Sequence, residues 1–94
     1  MILDEPWALS ASVALRPEPF GALAYHFGNR RLTFLKRPEL VAVVSSLGDH
    51  PDVRTALTAA GVPDRQHPGY AAALRGLAET DMIRRRPADE GVAV

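Results

Sequence analysis

The stretch Arg16-Pro17-Glu18-Pro19-Phe20-Gly21-Ala22-Leu23-Ala24-Tyr25-His26-Phe27-Gly28-Asn29-Arg30-Arg31-Leu32-Thr33-Phe34-Leu35-Lys36 decides the fold. From Ala22 to Phe27 the side chains alternate, with Leu23, Tyr25 and Phe27 on one face and Ala22, Ala24 and His26 on the other, which is the period of a strand. Gly28-Asn29 is a turn signal, because both residues tolerate positive φ. Arg31 to Lys36 then returns as a strand with Leu32 and Phe34 on one face. Upstream, Ser12 to Arg16 places Val13 and Leu15 on one face of a further strand, and the prolines at 17 and 19 are expected to interrupt its pairing. Together these segments predict a three-stranded antiparallel meander.

Beyond Lys36 the period changes to that of helices. Pro38 suits a first turn, and Leu40, Val43, Val44 and Leu47 form one apolar stripe. Asp49-His50-Pro51 opens a second helix with Val53, Ala56, Leu57 and Ala60 on its stripe; Gly61 ends it and Pro63 prevents its continuation. A third helix begins between Asp64 and Pro68, with Tyr70, Ala73, Leu74, Leu77 and Ala78 on its stripe. Three strands followed by three helices, with a Gly-Val-Pro turn between the last two, predict a winged-helix-like α+β domain spanning residues 11–83. Residues 1–10 read as an N-terminal extension and 84–94 as a disordered tail.

The chain has 94 residues, enough for one domain with a modest core. Its 11 basic and 11 acidic side chains cancel, whereas a dedicated nucleic-acid binder carries a basic excess to meet phosphates. Cysteine is absent, which removes disulfides, thiol chemistry and cysteine-built metal sites and fits a reducing, cytoplasmic setting. The acidic start and the short apolar runs predict neither a signal peptide nor a membrane span.

Residues able to carry chemistry are scattered. His26, His50 and His67 lack the close spacing of a zinc site and read as surface or partly buried side chains. Ser10, Ser12, Ser45 and Ser46 lack a nucleophile-elbow context, and within a helix a serine hydroxyl more often bonds the carbonyl four residues back. The carboxylates Glu5, Glu18, Glu39, Asp49, Asp52, Asp64, Glu79 and Asp81 lie near expected caps and turns, where they serve ordinary roles. These patterns predict no catalysis, no metal and no cofactor. Helices two and three remain to be weighed as a DNA reader, but the second of them would offer only Arg65, Gln66, His67 and Arg75, so a winged-helix regulator is the alternative.

One concentration of features stands out on the last strand of the meander. Arg30, Arg31, Lys36 and Arg37 bracket Leu32-Thr33-Phe34-Leu35. Such charges can simply keep an edge strand from pairing with other chains. Equally, they can steer an acidic extended peptide onto that edge, where main-chain groups pair and alternate side chains are read.

The segment from Val13 to Lys36, through its Arg-Pro-Glu-Pro-Phe-Gly-Ala-Leu run and its Phe-Gly-x-Arg-Arg-Leu hairpin, resembles the peptide chaperones of mycofactocin systems. These belong to the RiPP recognition element family, which also includes the peptide chaperone of pyrroloquinoline quinone biosynthesis. The likeness extends, more loosely, to about Met82. It implies a chaperone that binds the leader of the mycofactocin precursor peptide and delivers it to a radical S-adenosylmethionine maturase. From the balanced charge and short apolar runs no nucleic acid or membrane partner is expected, and the chain is expected to be a monomer or weak dimer. The resemblance further implies that the leader adds as a strand along Arg31, Leu32, Thr33, Phe34 and Leu35, flanked by Arg30 and Lys36. Beside it would stand a helix wall of Tyr70, Ala71, Leu74, Arg75 and Ala78.

Overall fold

The computed structural model describes residues 2–87. Along the chain run β1 (Trp7–Leu9), β2 (Val13–Glu18), β3 (Gly21–His26), β4 (Leu32–Leu35), α1 (Pro38–Ser46), α2 (Val53–Ala59), α3 (His67–Glu79) and β5 (Ile83–Arg85). The meander is present, with strands in the order β2-β3-β4 and every pairing antiparallel. Pro17 does not interrupt it: Pro17 lies opposite Ala22 inside β2. The reason lies in the hydrogen-bond phase. Phe27 N–H donates to the Ser12 carbonyl at 2.8 Å, which sets the alternation along the ladder. In that alternation Ala14, Arg16 and Glu18 face β3, while the main chain of Leu15 and Pro17 faces outward along an edge that no described strand covers, where a missing donor costs little.

Two strands were not foreseen. β1 pairs antiparallel with β5, Trp7 opposite Arg85 and Leu9 opposite Ile83. Ile2 and Leu3 are buried in the core, and the turn they form packs on α2 and α3. Residues 2–10 are therefore part of the domain and not an extension to it. Likewise the expected tail starts inside β5, since Arg84 and Arg85 pair with β1 and Arg86 N–H bonds the Pro6 carbonyl; residues 88–94 lie outside the described residues. A three-residue strand has no periodicity to read, and its partner lies at the other end of the chain.

The helices keep their expected stripes with small shifts. Pro38 opens α1, whose Val43 and Val44 are buried, and Leu47 is buried in the turn that follows. The Ser46 hydroxyl bonds the Ala42 carbonyl, four residues back. Asp52, not the preceding Asp49-His50-Pro51, caps α2 by accepting the Thr55 N–H at 2.8 Å. Gly61, at φ +82, ends α2, with Val62 N–H returning to the Leu57 carbonyl. On α3, Tyr70, Ala71, Leu74 and Leu77 are buried, whereas Ala73 is exposed.

The last helix ends in the same motif with an aspartate at the left-handed position. Asp81 has φ +62, its N–H bonds the Ala78 carbonyl and Met82 N–H bonds the Leu77 carbonyl. Its carboxylate is also a junction: it accepts from Arg84 Nη2 at 2.9 Å and lies 2.7 Å from His26 Nε2. The His26 ring is buried, correcting the expectation of a surface or partly buried residue. Its Nδ1 accepts the N–H groups of Gly28 and Asn29, so the ring proton sits on Nε2 and is donated to Asp81. Asn29 in turn donates to the Thr80 carbonyl. Arg30, at φ +62, takes the left-handed place in this turn, in contrast to the Gly28-Asn29 expectation.

Hydrogen bonds from Arg84 and then His26 hold the Asp81 carboxyl down at about 2. A carboxylate with a depressed folded value stabilises the fold above its unfolded pKa and loses that contribution as pH falls through the folded one. Between pH 4 and 2, melting temperatures of the native chain and of Asp81→Asn should therefore converge. Parallel curves would show that the junction contributes nothing.

Candidate functional site

The inner face of the meander carries Val13, Ala22, Ala24, His26 and Leu35, all buried, with Leu15 and Thr33 half-buried. Small alanines on β3 let α1 approach closely, so this face, and not the bulkier one, meets the helices. Leu23, Tyr25, Leu32 and Phe34 are thereby turned outward.

The hydrogen-bond phase of β4 follows from its turn. His26 N–H donates to the Arg31 carbonyl at 3.0 Å. Continuing the register, Thr33 opposite Ala24 and Leu35 opposite Ala22 form the bonded pairs. The N–H and C=O groups of Leu32 and Phe34 then point away from β3, along an edge that no described strand covers.

Beside this edge lies a groove of about 320 Å3. Lys36 and Arg37 from the link between β4 and α1, with Leu40 of α1, form one side; Gly69, Tyr70 and Ala73 from the first turns of α3 form the other, and Phe34 completes the wall. The Arg37 guanidinium stands over the Tyr70 ring, 5.9 Å from its centre, an arrangement that holds the two sides together. Among the described residues, Arg30, Arg31, Lys36 and Arg37 have no carboxylate partner within ion-pair distance. The mouth of the groove is thus positive although the whole chain is neutral.

The residues expected at the site divide accordingly. Arg30, Arg31, Leu32, Phe34 and Lys36 are exposed along or beside the edge, and Thr33 is half-buried. Leu35 fills the core, so it can take part only through its main chain. On the helix, Tyr70 reaches the groove while Ala71 and Leu74 are turned into the core. Arg75 and Ala78 lie outside the groove lining, further along α3. Gly69, Ala73, Leu40 and Arg37 border the groove as well. A shift of one position along a helix rotates a side chain by about 100°, which a stripe read from sequence does not resolve.

Other chemistry is sparse. Among the described residues, no group of three or more His, Asp or Glu side chains could hold a metal ion. His67 is buried, with Nε2 donating to the Val62 carbonyl, and so is withdrawn from any DNA-reading role at the start of α3. No described helix is long and apolar enough to cross a membrane.

The family model described as the peptide chaperone MftB family matches residues 6–84. A peptide chaperone MftB of Mycobacterium ulcerans is 56% identical over 87 residues, covering 93% of this chain and 80% of the relative. That of Mycolicibacterium smegmatis is 56% identical over 80 residues, 85% of this chain and 78% of its own. The Mycobacterium tuberculosis counterpart is 51% identical over 80 residues, 85% of this chain and 73% of its own. No solved structure matches.

Proposed function

Since the chain belongs to the peptide chaperone MftB family, we propose that it binds the leader of the mycofactocin precursor peptide as a further strand on β4. It then delivers that peptide to a radical S-adenosylmethionine maturase. In this reading the chain performs no chemistry itself; it raises the encounter of peptide and enzyme and fixes the peptide's register.

The observation that carries the reading is the open edge: the outward main-chain groups of Leu32 and Phe34 lie beside an apolar groove bordered by Lys36 and Arg37. Each added main-chain bond contributes about 1 kcal/mol net. Ordering the peptide offsets much of that. One or two apolar leader side chains, each worth about 1.5–3 kcal/mol on burial, must then enter the groove for micromolar or tighter binding. Leu40, Tyr70 and Ala73 offer them an apolar floor, and the four cations favour a leader with acidic residues.

Titrating the precursor's leader peptide into isotope-labelled protein tests the proposal. The amides of Leu32 and Phe34 should shift and become protected from hydrogen exchange, while those of Thr33 and Leu35, already paired, should change less. Binding that leaves the β4 amides untouched would place the leader elsewhere.

A further inference from the structure

A strand added to β4 presents alternate side chains to two faces. Those opposite Thr33 and Leu35 fall on the inner side, towards the groove. Those opposite Leu32 and Phe34 fall on the outer side of the sheet, which the proposed function leaves unused. That side is unusually apolar for a surface: Phe34 is 60% exposed, Leu32 58% and Phe27 62%. Phe20, in the two-residue turn between β2 and β3, leans over to meet Phe34 edge-on with ring centres 5.8 Å apart. Together with Lys36 the two rings border a second, open hollow of about 350 Å3.

Resting on the strand-addition reading, we propose that this hollow is a second specificity pocket for the leader. It takes a large apolar or aromatic side chain from the leader residue directly opposite Phe34. Lys36 on its rim selects a carboxylate two positions along on the same face. The occupant follows from continuity. Phe34 offers its main chain to the visitor and its ring to the hollow, so whichever strand pairs with Phe34 sets a side chain beside that ring. The chain thereby reads both faces of one short segment, the inner face through Tyr70 and Leu40 and the outer through Phe20 and Phe34.

Phe20 is the residue to test, because it lies outside both the β4 edge and the buried core. Leader affinity should fall about tenfold in Phe20→Ala and stay within about threefold of native in Phe20→Leu. The Leu32 and Phe34 amides should still shift in Phe20→Ala at saturating peptide. An alanine scan of the leader against the unaltered chain gives a reading that no folding defect can disturb. One outer-face position should cost about tenfold, and that cost should vanish when the partner is Phe20→Ala. Native affinity in Phe20→Ala, with β4 amides shifting as in the native chain, would overturn the pocket and leave strand addition standing. If the leader fails to shift the β4 amides of the native chain, strand addition itself falls and the pocket falls with it.

Discussion

Leu32→Pro should leave the free domain folded and lower leader affinity by roughly a hundredfold, whereas Thr33→Pro, one residue along, should unfold it. Proline removes one N–H donor and sets its ring in the donor's place. At Leu32 that donor points away from β3, so the free protein loses nothing but an unpaired group. A visiting strand, however, loses a bond and meets a ring where it must approach. At Thr33 the donor faces Ala24 in the middle of the meander, and both the bond and the close approach of β3 are lost. Phe34→Pro is less clean, because it also deletes a ring that walls both hollows. Thermal unfolding and leader titration on the pair decide the matter. A folded Leu32→Pro that binds leader within a few-fold of native would show that the edge is not used.

Gly21→Ala should be the most damaging small substitution in the meander, lowering stability by about 3–5 kcal/mol. An added Cβ would stand 2.1 Å from the Leu35 carbonyl oxygen and 3.3 Å from the Arg37 nitrogen, at a φ of +150° that L-residues rarely adopt. Both neighbours are main chain and have no rotamer into which to move. The crossing of Leu35 over Gly21 also fixes where β4 leaves the sheet, and so where Phe34, Lys36 and Arg37 stand around the groove. For a domain of this size the loss corresponds to well over 10 °C in melting temperature. Gly76→Ala is the matched control: it lies in α3 with open space around it, and alanine there should raise stability by about 0.5–1 kcal/mol. Equal melting temperatures for the two variants would show that the crossing at Gly21 is not tight.

Much of the molecule is legible in the sequence itself, for local reasons. Alternation from Ala22 to Phe27 and from Arg31 to Leu35 specified the meander, because side chains on a strand repeat every two residues. The stripe of Val43, Val44 and Leu47, the first-turn Pro38 and the Gly61-Val62-Pro63 stop specified helices, because caps and breakers act within a turn of their own position. The cations at 30, 31, 36 and 37 drew attention to β4 for the same reason: charge along a short strand is a local property.

What the sequence left open depended on contacts between distant segments. Either face of the meander could have met the helices. The smaller one did, because Ala22 and Ala24 admit α1 and because His26 finds Asp81 at the end of α3. That choice turned Phe34 and Leu32 outward and left Phe20 free to lean on Phe34; a turn that read as a break in pairing concealed an exposed ring in edge-on contact with Phe34. Ile2 and Leu3 joined the core by packing on α2 and α3, and β1 paired with β5, which sets Trp7 opposite Arg85 at the far end of the chain. On α3, the position of the groove decided that Gly69, Tyr70 and Ala73 face it while Ala71 and Leu74 do not. Periodicity marks which residues share a side of an element; which side becomes interior, and which becomes a binding surface, is set by the shapes that pack against it.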